Sequence, residues 1–162
     1  GFAYDLTHGA TGNVEASFGG DNSTPAGWGT GYGDLNNVIW GSGSNTGVNQ
    51  YSITLTADEG YFVSLHGFEA AGWGGSQPDS AIEVRNQDST VLFSFTGPLE
   101  QSTHDTFTFD TALVGQSLTI SVSQGWWHAV DNVGFSQSVP EPGTWLALGL
   151  GGLLLARRQV RR

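Results

Sequence analysis

Three tryptophan-containing segments lie in glycine-rich stretches and are the residues best suited to hold a ligand. They are Trp28 in AGWGTGYGD, Trp73 in AAGWGGSQ, and the adjacent pair Trp126 and Trp127. An indole ring stacks on the apolar face of a sugar, and sandwich loops can present several rings as a platform. Glycine neighbours equally permit each ring to fold back and plug an end of the sandwich. If Trp126 and Trp127 begin a strand, one should point inward and the other outward.

Acidic residues in loops offer a second kind of site. Asp131 shares strand parity with Val133 and Phe135, so its carboxylate should point inward. An inward carboxylate needs backbone N–H donors, a paired group or a cation. Loop hydrogen bonds are one interpretation. The alternative is calcium held by loop oxygens, with Asp21 and Asp34 as further candidate ligands.

Catalytic motifs are not visible in the chain. Cysteine is absent, which excludes a thiol nucleophile and cysteine-based metal sites. The four histidines are scattered without metal-ligand spacing, and no G-x-S-x-G elbow occurs. We therefore predict a non-enzymatic protein without a required cofactor. The alternative is a glycoside hydrolase, which needs two facing carboxylates that the sequence does not mark.

Charge is distributed very unevenly along the 162 residues. Residues 1–138 hold fourteen of the fifteen acidic residues and one basic residue, Arg85, which leaves a net charge of −13. Residues 139–162 carry +3. An acidic body repels nucleic acid and anionic membrane surfaces, and it suits cations or neutral partners. The chain begins at Gly1 without a basic, apolar leader, so we expect an export signal to have been removed.

The elements that must position these residues are short strands. Apolar and polar residues alternate at 51–56, 82–85 and 118–123, with turn residues between such segments. In 61–68, Tyr61, Val63 and Leu65 are expected on one face and Phe62, His66 and Phe68 on the other. Eight to ten strands at roughly ten-residue spacing predict an all-β fold, an antiparallel jelly-roll β-sandwich over residues 1–138.

Two N-terminal regions are less regular. Short strands are predicted at 2–7 and 14–18. Residues 19–49 are rich in small polar residues, with one apolar piece at 38–40. This length is unusual for a loop, so it predicts a functional loop or an extension wrapped over the sheet.

The last 24 residues, VPEPGTWLALGLGGLLLARRQVRR, differ from everything before them. A Pro-Glu-Pro turn precedes an uncharged run at 145–156, which would span about 18 Å as a helix, short of the ~30 Å bilayer core. The basic cluster after the run places this end in the cytoplasm and the body outside. The predicted membrane or assembly segment consists of Trp145, Leu146, Leu148, Leu150, Leu153, Leu154 and Leu155.

This order of parts resembles the PEP-CTERM sorting signal of bacterial surface and secreted proteins. Its signal residues here are Pro140, Glu141, Pro142, Arg157 and Arg158. The resemblance implies an exported protein, held in the inner membrane by residues 139–162 until an exosortase-type enzyme processes it. Three segments of the body also resemble jelly-roll or galactose-binding-like domains: YFVSLHGFEAAGW, SLTISV and WWHAVDNVGFS.

These observations leave three functional hypotheses. The first is a non-enzymatic cell-surface or extracellular-matrix protein whose partner is polysaccharide or another copy of itself. The second is a carbohydrate-binding module that uses the loop tryptophans, with or without calcium. The third is a self-assembling filament or surface-layer subunit, since low charge density and an apolar tail both permit assembly.

Overall fold

The computed structural model describes residues 12–21, 23–43 and 49–139. These residues form ten β-strands and no helix. The strand predicted at 2–7 and the tail from residue 140 lie outside the described residues. The strands are β1 (Val14–Asp21), β2 (Ser23–Trp28), β3 (Val38–Gly43), β4 (Gln50–Ala57), β5 (Phe62–Gly72), β6 (Ser80–Asn86), β7 (Val91–Gly97), β8 (Asp105–Gly115), β9 (Ser117–Ser123) and β10 (His128–Ser138).

The strands form two five-stranded antiparallel sheets, as the alternation predicted. The first sheet has the order β1-β4-β9-β6-β7, and the second has the order β2-β3-β10-β5-β8. Only β2–β3 and β6–β7 join neighbouring strands of one sheet directly along the chain. The other connections pass to the opposite sheet, so the two sheets are built together from interleaved parts of the sequence.

The main core lies between the two sheets. Ile53, Ile120 and Val84 form one row across β4, β9 and β6, and each is at most 2% exposed. From the second sheet, Leu65 and Val130 pack into the same cluster. Complete burial of such a side chain contributes about 1.5–3 kcal/mol. The alternating pattern read from the sequence is therefore the pattern of inward-facing residues.

Strand β5 departs from simple alternation. Phe68 was predicted on the face opposite Val63 and Leu65, and this prediction is wrong, because all three lie in the main core. In the pairing with β10, Leu65 lies opposite Phe135 and Gly67 opposite Gly134, so His66 is an extra residue in β5 relative to β10. The bulge reverses the parity, so that Val63 and Leu65 before it and Phe68 after it face the same side.

Residues 19–21 and 23–43 are more regular than their composition indicated. The region predicted as a long loop or extension contains β2 and β3, which pair from Ser23↔Gly43 to Trp28↔Val38. This hairpin completes one end of the second sheet through two residue pairs of β3 with β10. Residues 29–37 connect the two strands of this hairpin and include Tyr32.

Across the part of the chain that the structure describes, no helix has the length and apolar character needed to span a bilayer. The predicted C-terminal helix falls outside those residues. The last strand, β10, ends at Ser138.

Candidate aromatic binding site

The candidate site lies on the outer face of the second sheet. In β3, Ile39 packs towards the main core, whereas Val38 and Trp40 belong to a second hydrophobic cluster. The same alternation separates Val130 from Ala129 in β10. Residues of this second cluster therefore share the face of the sheet that points away from the main core.

Small residues on this outer face make space for large rings. Ala129 pairs with Trp40 on one side and with Ala71 on the other, so two alanines lie beside the indole in one row. Ala26, on β2, is the other partner of Trp40. Trp28 follows two residues later on the same face. The sheet thus supplies a floor on which the rings of Trp28 and Trp40 meet, with centroids 5.5 Å apart.

Tyr32 ties the segment 29–37 to this face. Its side chain is 1% exposed, and its hydroxyl donates a hydrogen bond of 2.7 Å to the carbonyl oxygen of Trp126. Tyr32 also forms an isolated β-bridge with Trp73, the residue that directly follows β5. Burial raises the pKa of the Tyr32 phenol well above its usual range, so it remains neutral and a donor.

Four rings form a closed cycle. Trp28 contacts Trp40 and Trp73, and Tyr32 contacts the same two residues from the other side. The successive centroid separations around the cycle are 5.5, 6.4, 5.1 and 6.1 Å. Three of the four contacts are T-shaped, with interplanar angles of 65–71°. Trp126 adds a fifth ring at 4.9 Å from Trp40. Three of the four neighbouring pairs in the cycle therefore stand edge to face, and the rings of Tyr32 and Trp40 are tilted by 42°.

These five rings line a cavity of about 230 Å³, which we call the aromatic pocket. Its lining consists of Trp28, Tyr32, Trp40, Trp73 and Trp126. Trp28 is 44% exposed, whereas Trp40 is 9% exposed. Trp28 therefore forms the solvent-facing wall and Trp40 the floor.

Sequence reasoning found three of the five lining residues. Trp28, Trp73 and Trp126 come together, whereas Trp127 does not line the pocket. Trp126 and Trp127 lie in a turn before β10, so the strand alternation expected for this pair does not apply. Trp40 and Tyr32 were not recognised. The available signal for Trp40 was its alternation with Val38, which would have indicated a second buried face.

The predicted calcium ligands Asp21, Asp34 and Asp131 do not form a metal-binding group in the part of the chain that the structure describes. Among the described residues, no group of three or more His, Asp or Glu side chains could hold a metal ion. Asp21 lies at the exposed end of β1. Asp34 instead contacts His104, with 2.7 Å between Oδ1 and Nδ1, and His104 Nε2 lies 3.5 Å from Glu69 Oε1. The hydrogen bond lowers the pKa of Asp34 and raises that of His104. This contact holds the segment 29–37 against the residues before β8.

Asp131 lines a second cavity, of about 240 Å³, between the two sheets. Val133 and Phe135 line the same cavity, but so does Asn132, and Val130 also packs into the main core. The irregular pairing of β10 with β5 between Asp131 and Gly134, and not one alternating parity, therefore places these residues together. The Asp131 carboxylate accepts a hydrogen bond of 2.8 Å from the backbone N–H of Asn132. Burial raises the pKa of Asp131 above its usual value. A backbone donor thus partly satisfies this carboxylate, as the loop hydrogen-bond interpretation expected.

The buried position of His128 leads us to expect that the folded protein is less stable in mild acid. His128 is fully buried at the start of β10, and its Nδ1 donates to the Ser123 carbonyl oxygen at 3.2 Å. Burial lowers the pKa of its imidazole, so the folded state favours the neutral form. The resulting stabilisation is present above the unfolded pKa of about 6.5 and is lost as the pH falls through the lower folded value.

We therefore expect the melting temperature to fall between pH 7.5 and 5, and the fall to be smaller in His128→Gln. Thermal melts by circular dichroism across this range measure both slopes. His66→Gln is the matched control, because His66 is exposed and is hydrogen-bonded across the sheet surface to Ser136. Equal pH slopes in His128→Gln and the parent protein would contradict the assignment.

Comparison with known proteins identifies the C-terminal segment. The family model described as the PEP-CTERM protein-sorting motif matches residues 138–162. This match confirms the predicted sorting signal, and it begins at Ser138, the last residue of β10. Such a motif implies an exported protein that is transiently anchored at the membrane and processed by an exosortase.

Comparison of the whole chain with curated proteins found no match. Among solved structures, the chain is similar to the crystal structure of the enzymatically active domain of tailspike protein 4 from bacteriophage CBA120, with 17% sequence identity and a TM-score of 0.40. The alignment covers 78% of this chain and 20% of that chain.

Proposed function

We propose that this is an exported, non-enzymatic protein of the cell surface or extracellular matrix, and that its β-sandwich binds carbohydrate through the aromatic pocket. The sandwich is of the jelly-roll or galactose-binding-like type. In this proposal the C-terminal signal delivers the binding domain to the outer side of the inner membrane, where an exosortase-type enzyme processes it.

The observation that carries the proposal is the convergence of four tryptophans and one tyrosine around one cavity. A folded domain of this size could bury these rings, yet Trp28 keeps 44% of its surface exposed. Large aromatic side chains with one accessible face are typical of binding sites. The cavity is smaller than the roughly 300–1,000 Å³ of sites for drug-sized ligands, so it suits one small group or one sugar unit of a polymer.

Affinity electrophoresis of the full chain against a panel of neutral and substituted polysaccharides tests this function. We expect at least one polysaccharide to retard the protein, and Trp28→Ala to weaken that binding about tenfold or more. Loss of an aromatic ring from a covered contact costs about 1.5–3 kcal/mol. Trp127→Ala is the matched control, because it removes a neighbouring indole that does not line the pocket. Retardation by no member of the panel would refute the proposed function.

A further inference from the structure

The aromatic pocket is also distinguished by what its lining lacks. Of the described side chains that line it, none is charged and none is a carboxamide. The Tyr32 hydroxyl is engaged with the Trp126 carbonyl, and an indole N–H can only donate a hydrogen bond. The described lining therefore offers aromatic surface, most of all from Trp28, and few hydrogen-bond acceptors.

We propose that the aromatic pocket binds a quaternary ammonium group, a trimethylated amine carried as a substituent on an extracellular polysaccharide. This inference rests on the proposed function and names the chemical group that the same pocket recognises. A quaternary ammonium has a positive charge and no N–H, so it requires π faces and no hydrogen-bond acceptors. A primary ammonium would leave three donors without partners in this lining.

The ring geometry fits such a group. The cycle formed by Trp28, Trp40, Tyr32 and Trp73 has sides of 5.1–6.4 Å. Whatever its fold, a four-membered cycle with these sides has its centre on average no more than about 4 Å from the ring centroids, inside the ~6 Å range in which a ring face attracts a cation. Rings that meet edge to face enclose a compact group from several sides. Rings in one plane, by contrast, would favour the flat face of an extended sugar chain.

Charge favours the same ligand. Residues 1–138 carry a net charge of −13, so the field of the domain attracts cations and repels anionic polymers. Tryptophan is the aromatic residue with the strongest attraction for cations, and four of the five rings are indoles. The acidic domain therefore attracts a cationic ligand at long range. Within the pocket, the described lining binds it through aromatic rings and not through a charged side chain.

Choline and its uncharged isostere 3,3-dimethylbutan-1-ol provide the first test. They have nearly the same shape and differ in the positive charge. We expect choline to quench the tryptophan fluorescence of the full chain and to bind at least tenfold more tightly than the isostere in calorimetry. Equal affinities would show a merely apolar pocket and overturn the inference, as would the absence of choline binding at millimolar concentration.

Substitutions locate the site. Trp28→Ala should reduce choline affinity at least tenfold, because it removes the solvent-facing wall of the pocket. Trp127→Ala should leave choline affinity unchanged, and both variants keep the charge of the parent. Far-ultraviolet circular dichroism and melting temperature check that each variant is folded. Undiminished choline binding by folded Trp28→Ala would overturn the assignment to this pocket.

Dextran carrying trimethylammonium groups, compared with unmodified dextran, tests the source of the group. We expect the full chain, but not Trp28→Ala, to prefer the substituted dextran, since general attraction to a cationic polymer is the same for both proteins. Sedimentation with phosphatidylcholine vesicles without binding to the substituted dextran would overturn the polysaccharide assignment. Binding to neutral polysaccharide with no preference for choline over its isostere would overturn this inference and leave the proposed function standing.

Discussion

Replacement of Phe68 by alanine is expected to lower the free energy of unfolding by about 3–5 kcal/mol, the usual cost of an aromatic-to-alanine change in a core. Phe68 is 2% exposed and lies in β5 of the second sheet. Its ring centroid is 5.1 Å from that of Phe107 in β8 and 6.2 Å from that of Phe93 in β7. Because β7 belongs to the first sheet, this contact joins the two sheets, and its removal leaves a cavity between them.

Chemical denaturation followed by tryptophan fluorescence measures this change. Val114→Ala is the control, since Val114 is 51% exposed on β8 and should alter the unfolding free energy by no more than about 0.5 kcal/mol. The slope of the denaturation curve should be similar in both variants. If Phe68→Ala were as stable as Val114→Ala, the aromatic contact between the sheets would not be a major part of the core.

Replacement of Gly33 by alanine is expected to damage both the fold and the aromatic pocket. Gly33 has φ of +54°, a left-handed conformation that costs other residues about 1–2 kcal/mol. A Cβ atom there would lie 1.8 Å from the backbone carbonyl oxygen of Thr103, so one of the two segments must move. We expect a loss of about 2–4 kcal/mol in unfolding free energy from strain and overpacking together. Displacement of Tyr32, the preceding residue, should also weaken ligand binding at the pocket.

Gly29→Ala is the matched control for this prediction. Gly29 lies at the start of the same segment, and a Cβ atom added to it would meet no atom within 4 Å. Its effect on stability should stay within about 0.5 kcal/mol. Thermal melts and ligand titrations of the two variants test both parts of the prediction. Equal stability and equal binding would mean that the approach of Gly33 to Thr103 is not a constraint on the pocket.

The alternation of apolar and polar residues predicted the regular strands, because each strand's pattern depends on only a few consecutive residues. Alternation at 51–56, 82–85 and 118–123 marked β4, β6 and β9, and it also identified their buried residues. The turn before β7 follows from Asn86, whose side chain accepts hydrogen bonds from the N–H groups of Asp88 and Thr90. The sorting motif was recognised in the same way, from the order of the Pro-Glu-Pro turn, the apolar run and the arginines. This order is a property of the sequence and does not depend on tertiary contacts.

Irregular pairing could not be derived from these patterns. The bulge in β5 forms in its pairing with β10, and at the same place a Cβ atom on Gly67 would lie 2.4 Å from the carbonyl oxygen of Phe107 in β8, forty residues later. A sequence with several glycines does not show which of them meets another strand. The parity of Phe68 was therefore decided by a contact that is distant along the chain, and the alternation rule gave the wrong face.

By itself, the sequence determined the all-β class, the inward residues of the regular strands, the acidic character of the body and the C-terminal sorting motif. Only the tertiary structure decided which aromatic residues form one pocket. Tyr32 and Trp126 are joined by a hydrogen bond although they are 94 positions apart in the sequence. Trp40 lines the pocket because its neighbours on the outer face of the sheet are alanines, which leave room for its ring. Residue types and spacing specify which side of its own strand a side chain occupies, whereas the neighbours on that side depend on the order of strands in the sheet.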